Sequence, residues 1–408
     1  MTAPRFIQLH FLTSYPGVLL NRDDAGLAKR LPFGGAVRTR VSSQSLKRHW
    51  RMADDPRGLH AMALETGIAS LRTKRAVDDR VTGPLRAEFD GAVVDAVEGR
   101  FLEAVYGKKS KDPKNRQALL LGQPEIAYLA ENARRIATEA AGDAKAAAEI
   151  ADAFFKDGDG KGNLKQLREQ NALSPGLESA LFGRMVTSDV RANTDAAIHV
   201  AHAFTVHAEQ PELDYFTAVD DLQPDDVEGA AGLFDTELTS GLFYGYVVVD
   251  VPLLVSNLVG CPRADWAGDV DRDLAARVIE NLVHLIATVS PGAKRGSTAP
   301  YSYAELILAE VGERQPRTLA NAFRDPVQAP STREQLESGK TLGGAAAQAL
   351  SKEIGGIDKM YGVHEARLQA SRGAAELHGI EAASLPDLAA RLGAMVRAAS
   401  TEAAPADA

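Results

Sequence analysis

The strand-like segments of this chain lie far apart in the sequence, and a long helical stretch separates the first from the others. Residues 6–12 alternate apolar and polar side chains, which is typical of a strand. The clearest strand is predicted at 241–258, where three consecutive valines follow two alternating tyrosines, and residues 301–308 indicate another. Residues 59–181 are mostly helical in pattern and rich in alanine and charge. This arrangement predicts the α+β class.

A basic segment between Asn21 and Arg51 is the strongest functional signal. It contains eight Lys or Arg residues and two Asp residues, so its local charge is +8 − 2 = +6, whereas the whole chain of 408 residues has a formal charge of −9. Within it, Gly34 and Gly35 permit a tight turn or a close approach to a ligand. Concentrated positive charge on an acidic background indicates a local anion site rather than general affinity for polyanions.

The last ten residues of the basic segment are predicted to form a short helix. Three serines at its start can cap it, and Leu46 and Trp50 share one apolar face. Lys47 and Arg51 are also four residues apart and lie on the neighbouring face, with Gln44 above Lys47. A helix start with free amides and two stacked cations attracts phosphate. The alternative is an amphipathic surface helix with ordinary solvated cations.

Metal binding is the other chemistry that the sequence brings to mind, and the spacing disfavours it. His199, His202 and His207 have no carboxylate or cysteine at a firm spacing to complete a ligand set, so core and loop roles explain them better. The segment 157–163 begins like a calcium loop but has Arg168 where a bidentate glutamate is needed. We therefore predict no metal site and no cofactor.

The composition also bears on the compartment. The sole cysteine, Cys261, allows no internal disulfide, which fits a reducing cytosol. No apolar run approaches the ~20 residues that a membrane span requires. We expect a cytoplasmic protein without a membrane partner.

Several short sequence motifs resemble those of the CasC family. Its members are the repeated backbone subunit of the type I-E Cascade complex, a CRISPR RNA-guided surveillance complex. The resemblance is spread from about residue 5 to about residue 365. It is carried by NRDD at 21–24, SSQSLKR at 42–48, FGRM at 182–185, AHAFTVH at 201–207, DYFTAVDDL at 214–222 and SPGAKRGSTA at 290–299.

This resemblance implies a hand-shaped α+β fold, with an RRM-like (ferredoxin-like) palm, a large helical fingers insertion and a β-hairpin thumb. The implied divisions are palm segments at 1–58, 182–206 and 225–395, with C-terminal helices in the last, fingers at 59–181, a thumb at 207–224 and a disordered tail at 396–408.

The resemblance also implies a non-catalytic function. Several copies would polymerise along one CRISPR RNA, bind its phosphates without regard to sequence, and present the guide for pairing with target DNA in antiviral defence. The implied partners are the CRISPR RNA, target DNA, other copies of this chain, and the large, small and guide-end-capping subunits of the complex.

Site residues follow from the matched motifs. The implied contacts to CRISPR RNA are Arg22, Lys29, Ser42, Ser43, Gln44, Lys47, Arg51 and Met185. The implied thumb wedge, which would displace a nucleotide at intervals, consists of Tyr215, Phe216, Thr217 and Val219. A lysine-rich segment in the fingers gives candidate contacts to target DNA at Lys108, Lys109 and Lys111, although a solvated loop is the alternative.

The competing class of function is a metal-dependent RNA endonuclease. Asp23 and Asp24 could hold a catalytic metal, and Asp220 and Asp221 lie just past the wedge residues of the predicted thumb. No general base or nucleophile accompanies them in the sequence. The expectation is therefore a binding protein rather than an enzyme.

Overall fold

The computed structural model describes residues 4–107, 110, 112–156, 176–184, 193–218, 232–333 and 340–400. Its strands are β1 (Phe6–Val18), β2 (Arg30–Phe33), β3 (Ala36–Val41), β4 (Ser70–Thr73), β5 (Leu119–Gly122), β6 (Ile198–Val200), β7 (Ala203–Thr205), β8 (Pro211–Ala218), β9 (Gly232–Asp250), β10 (Leu306–Gly312), β11 (Ala366–Ser371) and β12 (Glu381–Ala382).

The α-helices are α1 (Ser43–Arg51), α2 (Leu59–Glu65), α3 (Gly91–Tyr106), α4 (Gln123–Glu139), α5 (Ala144–Lys156), α6 (Leu177–Phe182), α7 (Val251–Val259), α8 (Asp273–Thr288), α9 (Arg295–Thr298), α10 (Leu342–Tyr361) and α11 (Leu385–Arg397). A π-helical turn covers Val77–Thr82, and short 3₁₀ helices cover Gly83–Ala87, Pro113–Asn115, Arg263–Asp265, Ala320–Phe323 and Gly373–Ala375.

A large, mainly antiparallel sheet organises the molecule. Its strand order is β12-β11-β10-β1-β9-β7-β3-β2, with β6 and β8 also paired to β9. The four strands β10-β1-β9-β6 are antiparallel neighbours, α1 lies in the chain between β1 and β6, and α8 lies between β9 and β10. This is the βαββαβ order of a ferredoxin-like, RRM-like core. The α+β prediction is confirmed.

Two apolar layers cover the sheet. On one face, β1 residues such as Leu9 share a core with α8 and α11, represented by Leu282 and Leu392. On the other face, Leu12 packs with Phe323 and with Leu350 of α10. The alternation of side chains along β1 explains why successive residues enter different cores.

Two predicted strand boundaries are wrong. The segment 241–258 is a strand only to Asp250, whose side chain accepts the Leu253 amide at 3.0 Å and caps α7, with Pro252 in its first turn. The strand predicted at 301–308 begins at Leu306 and runs to Gly312. The predicted first strand is confirmed but continues to Val18, beyond its expected stop.

A separate helical unit, residues 76–154, has its own apolar core. Phe101 of α3, Ile136 of α4 and Phe154 of α5 are among its buried side chains. The predicted fingers range starts earlier, at residue 59, but α2 and α6 pack with the sheet core instead. The two-stranded β4–β5 sheet joins this unit to the sheet core. A buried ion pair of 2.6 Å between Glu125 and Arg184 lies at the same junction.

A long hairpin is formed by β8 and the first part of β9. Its register runs from Pro211 opposite Thr239 to Ala218 opposite Gly232, and residues 219–231 between them lie outside the described part. The predicted thumb range, 207–224, contains β8, whereas its partner strand lies beyond that range.

A buried polar network occupies the sheet face opposite α8. His10 is fully buried, with Nε2 donating to Glu310 Oε2 at 3.1 Å and Nδ1 accepting from the Tyr244 hydroxyl at 2.9 Å. Burial lowers the pKa of His10 more than the adjacent carboxylate raises it, so the imidazole is neutral at pH 7. Both ring nitrogens of this core histidine therefore have a hydrogen-bond partner.

No described helix is both long and apolar enough to cross a membrane.

Candidate nucleic-acid interface

Helix α1 forms where the serines and the apolar spacing predicted it. Ser42 is the N-cap, and its hydroxyl accepts the Ser45 amide at 3.3 Å. Leu46 and Trp50 are buried against the sheet core. The helix is therefore confirmed, and its fixed apolar face determines where its cations point.

The amides at the start of α1 are not free, contrary to the expectation from the sequence. The Ser42 amide donates to Asn21 Oδ1 at 2.9 Å, and the Ser43 amide donates to His202 Nδ1 at 2.9 Å. With the Ser45 amide bound to the cap, three amides already have partners inside the chain. An anion at this end of α1 would therefore be held mainly by side chains.

His202 contacts the start of α1 as a neutral side chain. Burial, followed by the charges of Arg40 and Lys29, lowers its pKa, so the imidazole is neutral and accepts from Ser43. The Arg40 amide donates to the Lys29 carbonyl at 2.7 Å, which holds these two residues side by side. Sequence spacing gave no sign that His202 would reach this helix.

The loop before β2 is fixed by acids. Asp23 Oδ1 accepts the Ala25 amide at 2.9 Å and the Leu27 amide at 3.0 Å. The buried Glu237 of β9 accepts the Ala28 amide at 2.7 Å and also bonds Arg30. Asp23 thus forms a turn, which accounts for this carboxylate without a metal.

One arginine of the basic segment has a structural role. Arg38 on β3 is fully buried, and its guanidinium donates to the carbonyls of Thr205, Phe323 and Arg324 at 2.9, 2.9 and 3.3 Å. The β2–β3 turn brings Gly34 so close to Arg324 that a Cβ would lie 1.5 Å from its carbonyl oxygen. The close approach expected of Gly34 is thus to the chain itself.

Apart from Arg30, which pairs with Glu209 and Glu237, the remaining cations of the segment have no carboxylate partner in the described ranges. Lys47 and Arg51 are half-buried on one side of α1, and burial lowers the pKa of each. Within the described ranges no carboxylate lies at ion-pair distance from Arg22, Lys29, Arg40, Lys47, Arg48 or Arg51. We call the side chains of Arg22, Lys29, Ser42, Ser43, Gln44, Lys47 and Arg51 the α1 site.

The loop 290–299 connects helix α1 to the hairpin. The Gly292 amide donates to His49 Nε2 on α1 at 3.3 Å. Two residues later, Lys294 Nζ donates to Thr236 Oγ1 of β9 at 2.7 Å and lies 4.9 Å from the centre of the Phe216 ring. The loop therefore contacts both helix α1 and the β8–β9 hairpin.

The two predicted wedge aromatics lie within β8 and not in its connection to β9. Tyr215 and Phe216 are adjacent, so they face opposite sides of the hairpin. Tyr215 is 65% exposed, whereas Phe216 is 40% exposed and contacts Lys294. Tyr215 is thus the more accessible ring for a nucleotide base.

We expect Lys294→Ala to loosen the hairpin without unfolding the palm. The change removes the Thr236 hydrogen bond and the cation–π contact with Phe216, each worth about 0.5–1.5 kcal/mol. Hydrogen–deuterium exchange of 211–218 and 232–239 should quicken several-fold, while exchange in α8 stays unchanged.

The neighbouring Arg295→Ala, which leaves both contacts in place, is the control for that experiment. Equal exchange rates in the two variants would show that Lys294 does not hold the hairpin.

Several predicted site residues fall outside the described part of the chain. These are Met185, Val219, the side chain of Thr217, the possible acids Asp220 and Asp221, the rejected calcium loop, and Lys108, Lys109 and Lys111. Nearby, Arg116 is buried and bonds Asp78 at 2.5 Å, so it is a structural residue of the helical unit.

The histidines considered for metal binding have backbone partners. His199 Nε2 bonds the Ala196 carbonyl at 2.9 Å, and His207 Nε2 accepts the Leu242 amide at 3.2 Å. Among the described residues, no three His, Cys, Asp or Glu side chains are grouped to hold a metal ion.

A family comparison matches nearly the whole chain. The model of the CT1975-like proteins aligns with residues 7–398. The chain belongs to the CT1975-like family. Comparison with curated proteins gives no match.

Solved structures similar to this CT1975-like protein come from CRISPR complexes. One, described as "CRISPR RNA-guided surveillance complex, pre-nicking", has a TM-score of 0.72 at 26% identity, covering 96% of this chain and 100% of the other. A second is described as "CRISPR RNA-guided surveillance complex". It has a TM-score of 0.63 at 24% identity, and the match covers 95% of this chain and 99% of the other. At this identity the match is evidence for a shared fold only.

Proposed function

We propose that this CT1975-like protein is a subunit of a Cascade-type CRISPR RNA-guided surveillance complex, and specifically the CasC-type backbone subunit of type I-E. Several copies line one CRISPR RNA, and each binds guide phosphates at its α1 site. The proposal assigns no catalytic step to the chain. Its partners are the guide RNA, target DNA, other copies and the remaining complex subunits.

The observation that carries this proposal is the α1 site itself. In the described ranges its cations have no carboxylate at ion-pair distance, although the chain is acidic as a whole. Side chains of this kind bind backbone phosphates whatever the base sequence, as a guide with variable spacers requires. The similarity in fold to a surveillance-complex subunit at 26% identity gives independent support.

The hairpin supplies the second part of the proposed function. Its exposed Tyr215 presents a ring that can stack on or between bases, an interaction worth ~1–3 kcal/mol per base. Loop 290–299 holds the hairpin at a set position relative to α1. In the proposed assembly, this hairpin reaches the RNA on the neighbouring copy.

We predict that Lys47→Ala combined with Arg51→Ala weakens RNA binding through lost phosphate contacts. On single strands each contact contributes about 0.7 to the slope of log affinity against log salt, so the slope should fall by roughly 1.4. Fluorescence anisotropy with single-stranded RNAs of two unrelated sequences measures this slope. Both sequences should give the same change.

A double variant of matched charge provides the control. Arg134→Ala with Arg135→Ala removes two exposed cations that already pair with Glu88 and Glu139 on the helical unit. Its slope should equal that of the unaltered protein. An unchanged slope in the α1 variant would remove this helix from the RNA-binding site.

Assembly is tested in the same samples. The mass of the complex should increase in steps with RNA length, because each copy occupies a fixed number of nucleotides. A mass that stays at one copy for every RNA length would contradict the backbone role.

A further inference from the structure

A cleft lies beside the β4–β5 sheet, where the helical unit joins the rest of the chain. Arg72 of β4 is one of the residues that line this cleft. The cleft has a volume of about 460 Å³. Its lining includes Arg72, Gln117, Leu120, Phe182, Arg184 and Thr194. Arg72 pairs with Leu120 of β5 in the small sheet, so its backbone is fixed while its side chain remains exposed.

One residue of the cleft contacts the α1 site. The Phe182 ring, which lines the cleft, lies 5.5 Å from Lys47 Nζ. Arg51 follows Lys47 by four residues on the same side of α1. Arg51 Nε is buried and has no hydrogen-bond partner within the described ranges.

Arg72 differs from the two cations that follow it. Lys74 Nζ donates to the Lys114 carbonyl at 3.3 Å, and Arg75 pairs with Asp79 at 2.7 Å. For Arg72 the described part of the chain offers no carboxylate at ion-pair distance. Arg72 thus differs from its neighbours, whose side chains bond other groups of the helical unit.

We infer that Arg72 is a further phosphate-binding residue, which extends the α1 site across the cleft toward the helical unit. The ligand is a single strand of RNA, so the inference rests on the proposed function. Arg72 lines the same cleft as Phe182, over which Lys47 lies, and a phosphate in this cleft would form charge-assisted hydrogen bonds with the Arg72 guanidinium. The row Lys47, Arg51 and Arg72 therefore marks a path for consecutive phosphates.

The test compares Arg72→Ala with Arg75→Ala, a neighbour of equal charge already paired with Asp79. Anisotropy of single-stranded RNA is measured between 50 and 200 mM salt, with a thermal melt of each variant. For Arg72→Ala the slope of log affinity against log salt should fall by about 0.7. The ratio of the affinity at 50 mM to that at 200 mM should then be about 2.6-fold smaller than for the unaltered protein. Arg75→Ala and Arg72→Lys should keep the original slope.

Three results would overturn the inference. Equal slopes for Arg72→Ala and the unaltered protein would remove Arg72 from the RNA path while leaving the α1 site intact. Weakened binding of duplex DNA with unchanged binding of RNA would assign Arg72 to the target instead. An unaltered protein that fails to bind RNA would contradict the proposed function and this inference together.

Discussion

Glu310→Gln is expected to lower the free energy of unfolding by about 3–5 kcal/mol, the cost of breaking a buried ion pair from one side. Glu310 is fully buried and accepts hydrogen bonds from Arg317 at 2.6 and 2.9 Å, from Arg367 at 2.7 Å and from His10. An amide cannot balance the charge of Arg317, whose other carboxylate neighbour, Glu365, is 3.7 Å away, whereas Arg367 keeps its pair with Asp358 at 2.6 Å.

The pKa of Glu310 determines how the loss of stability in Glu310→Gln depends on pH. Burial raises the pKa of Glu310, but the hydrogen bonds from Arg317 and His10 outweigh it, and the pKa lies well below its ordinary value. A carboxylate with a lowered folded-state pKa stabilises the protein above its unfolded-state pKa, and this stability disappears as the pH falls through the folded-state value. The difference between the unaltered protein and Glu310→Gln should therefore shrink on acidification.

Urea denaturation across a pH series measures both effects. Glu381→Gln is the control, because Glu381 forms an exposed pair with Arg391 that should contribute less than about 1 kcal/mol. A loss below about 1 kcal/mol for Glu310→Gln at pH 7 would show that the network does not depend on its charge.

Arg38→Ala is expected to cost at least about 3 kcal/mol of stability, because it leaves the carbonyls of Thr205, Phe323 and Arg324 without their donor. Each unpaired buried polar group costs about 1–3 kcal/mol, and the lost side chain leaves a cavity as well. Arg38→Lys should recover only part of this, since an ammonium cannot reproduce the planar fork of donors.

Arg40→Ala provides the comparison for Arg38. Both arginines lie on β3, but Arg40 is half-buried and donates from Nε to the Arg30 carbonyl alone. We expect its melting temperature to stay near that of the unaltered protein while RNA binding weakens. Similar melting temperatures for the two variants would contradict the structural role of Arg38.

These two arginines show how far the sequence could predict the site. Helix α1 was predictable because its signals are local: serines at the start and apolar residues four apart. A local charge count, however, cannot distinguish Arg38, which is buried by strands from distant parts of the chain, from the exposed cations beside it. The same limit applies to His202 and Lys294, whose partners lie 159 and 58 residues away.

The fold class was likewise predictable from periodicity, whereas the end of β9 was not. The valine run favours a strand through residue 249, and the following apolar residues continue that pattern. The local signal for a helix was present in Asp250 and Pro252, an N-cap followed by proline, but the apolar run concealed it. Strand order had no local signal at all, since β1 pairs with segments more than 200 residues away.

The pairing of β1 with β9 and β10 has a consequence for folding during synthesis on the ribosome. Phe6 lies opposite Asp250 on one side and Gly312 on the other, so β1 emerges long before either partner exists. At about 5–20 residues per second, the first strand waits on the order of 10–50 s with both edges unpaired. The helical unit, whose contacts are within 76–154, is complete earlier. During that time the apolar strand is exposed to aggregation, and a chaperone that covers it should raise the yield of folded protein.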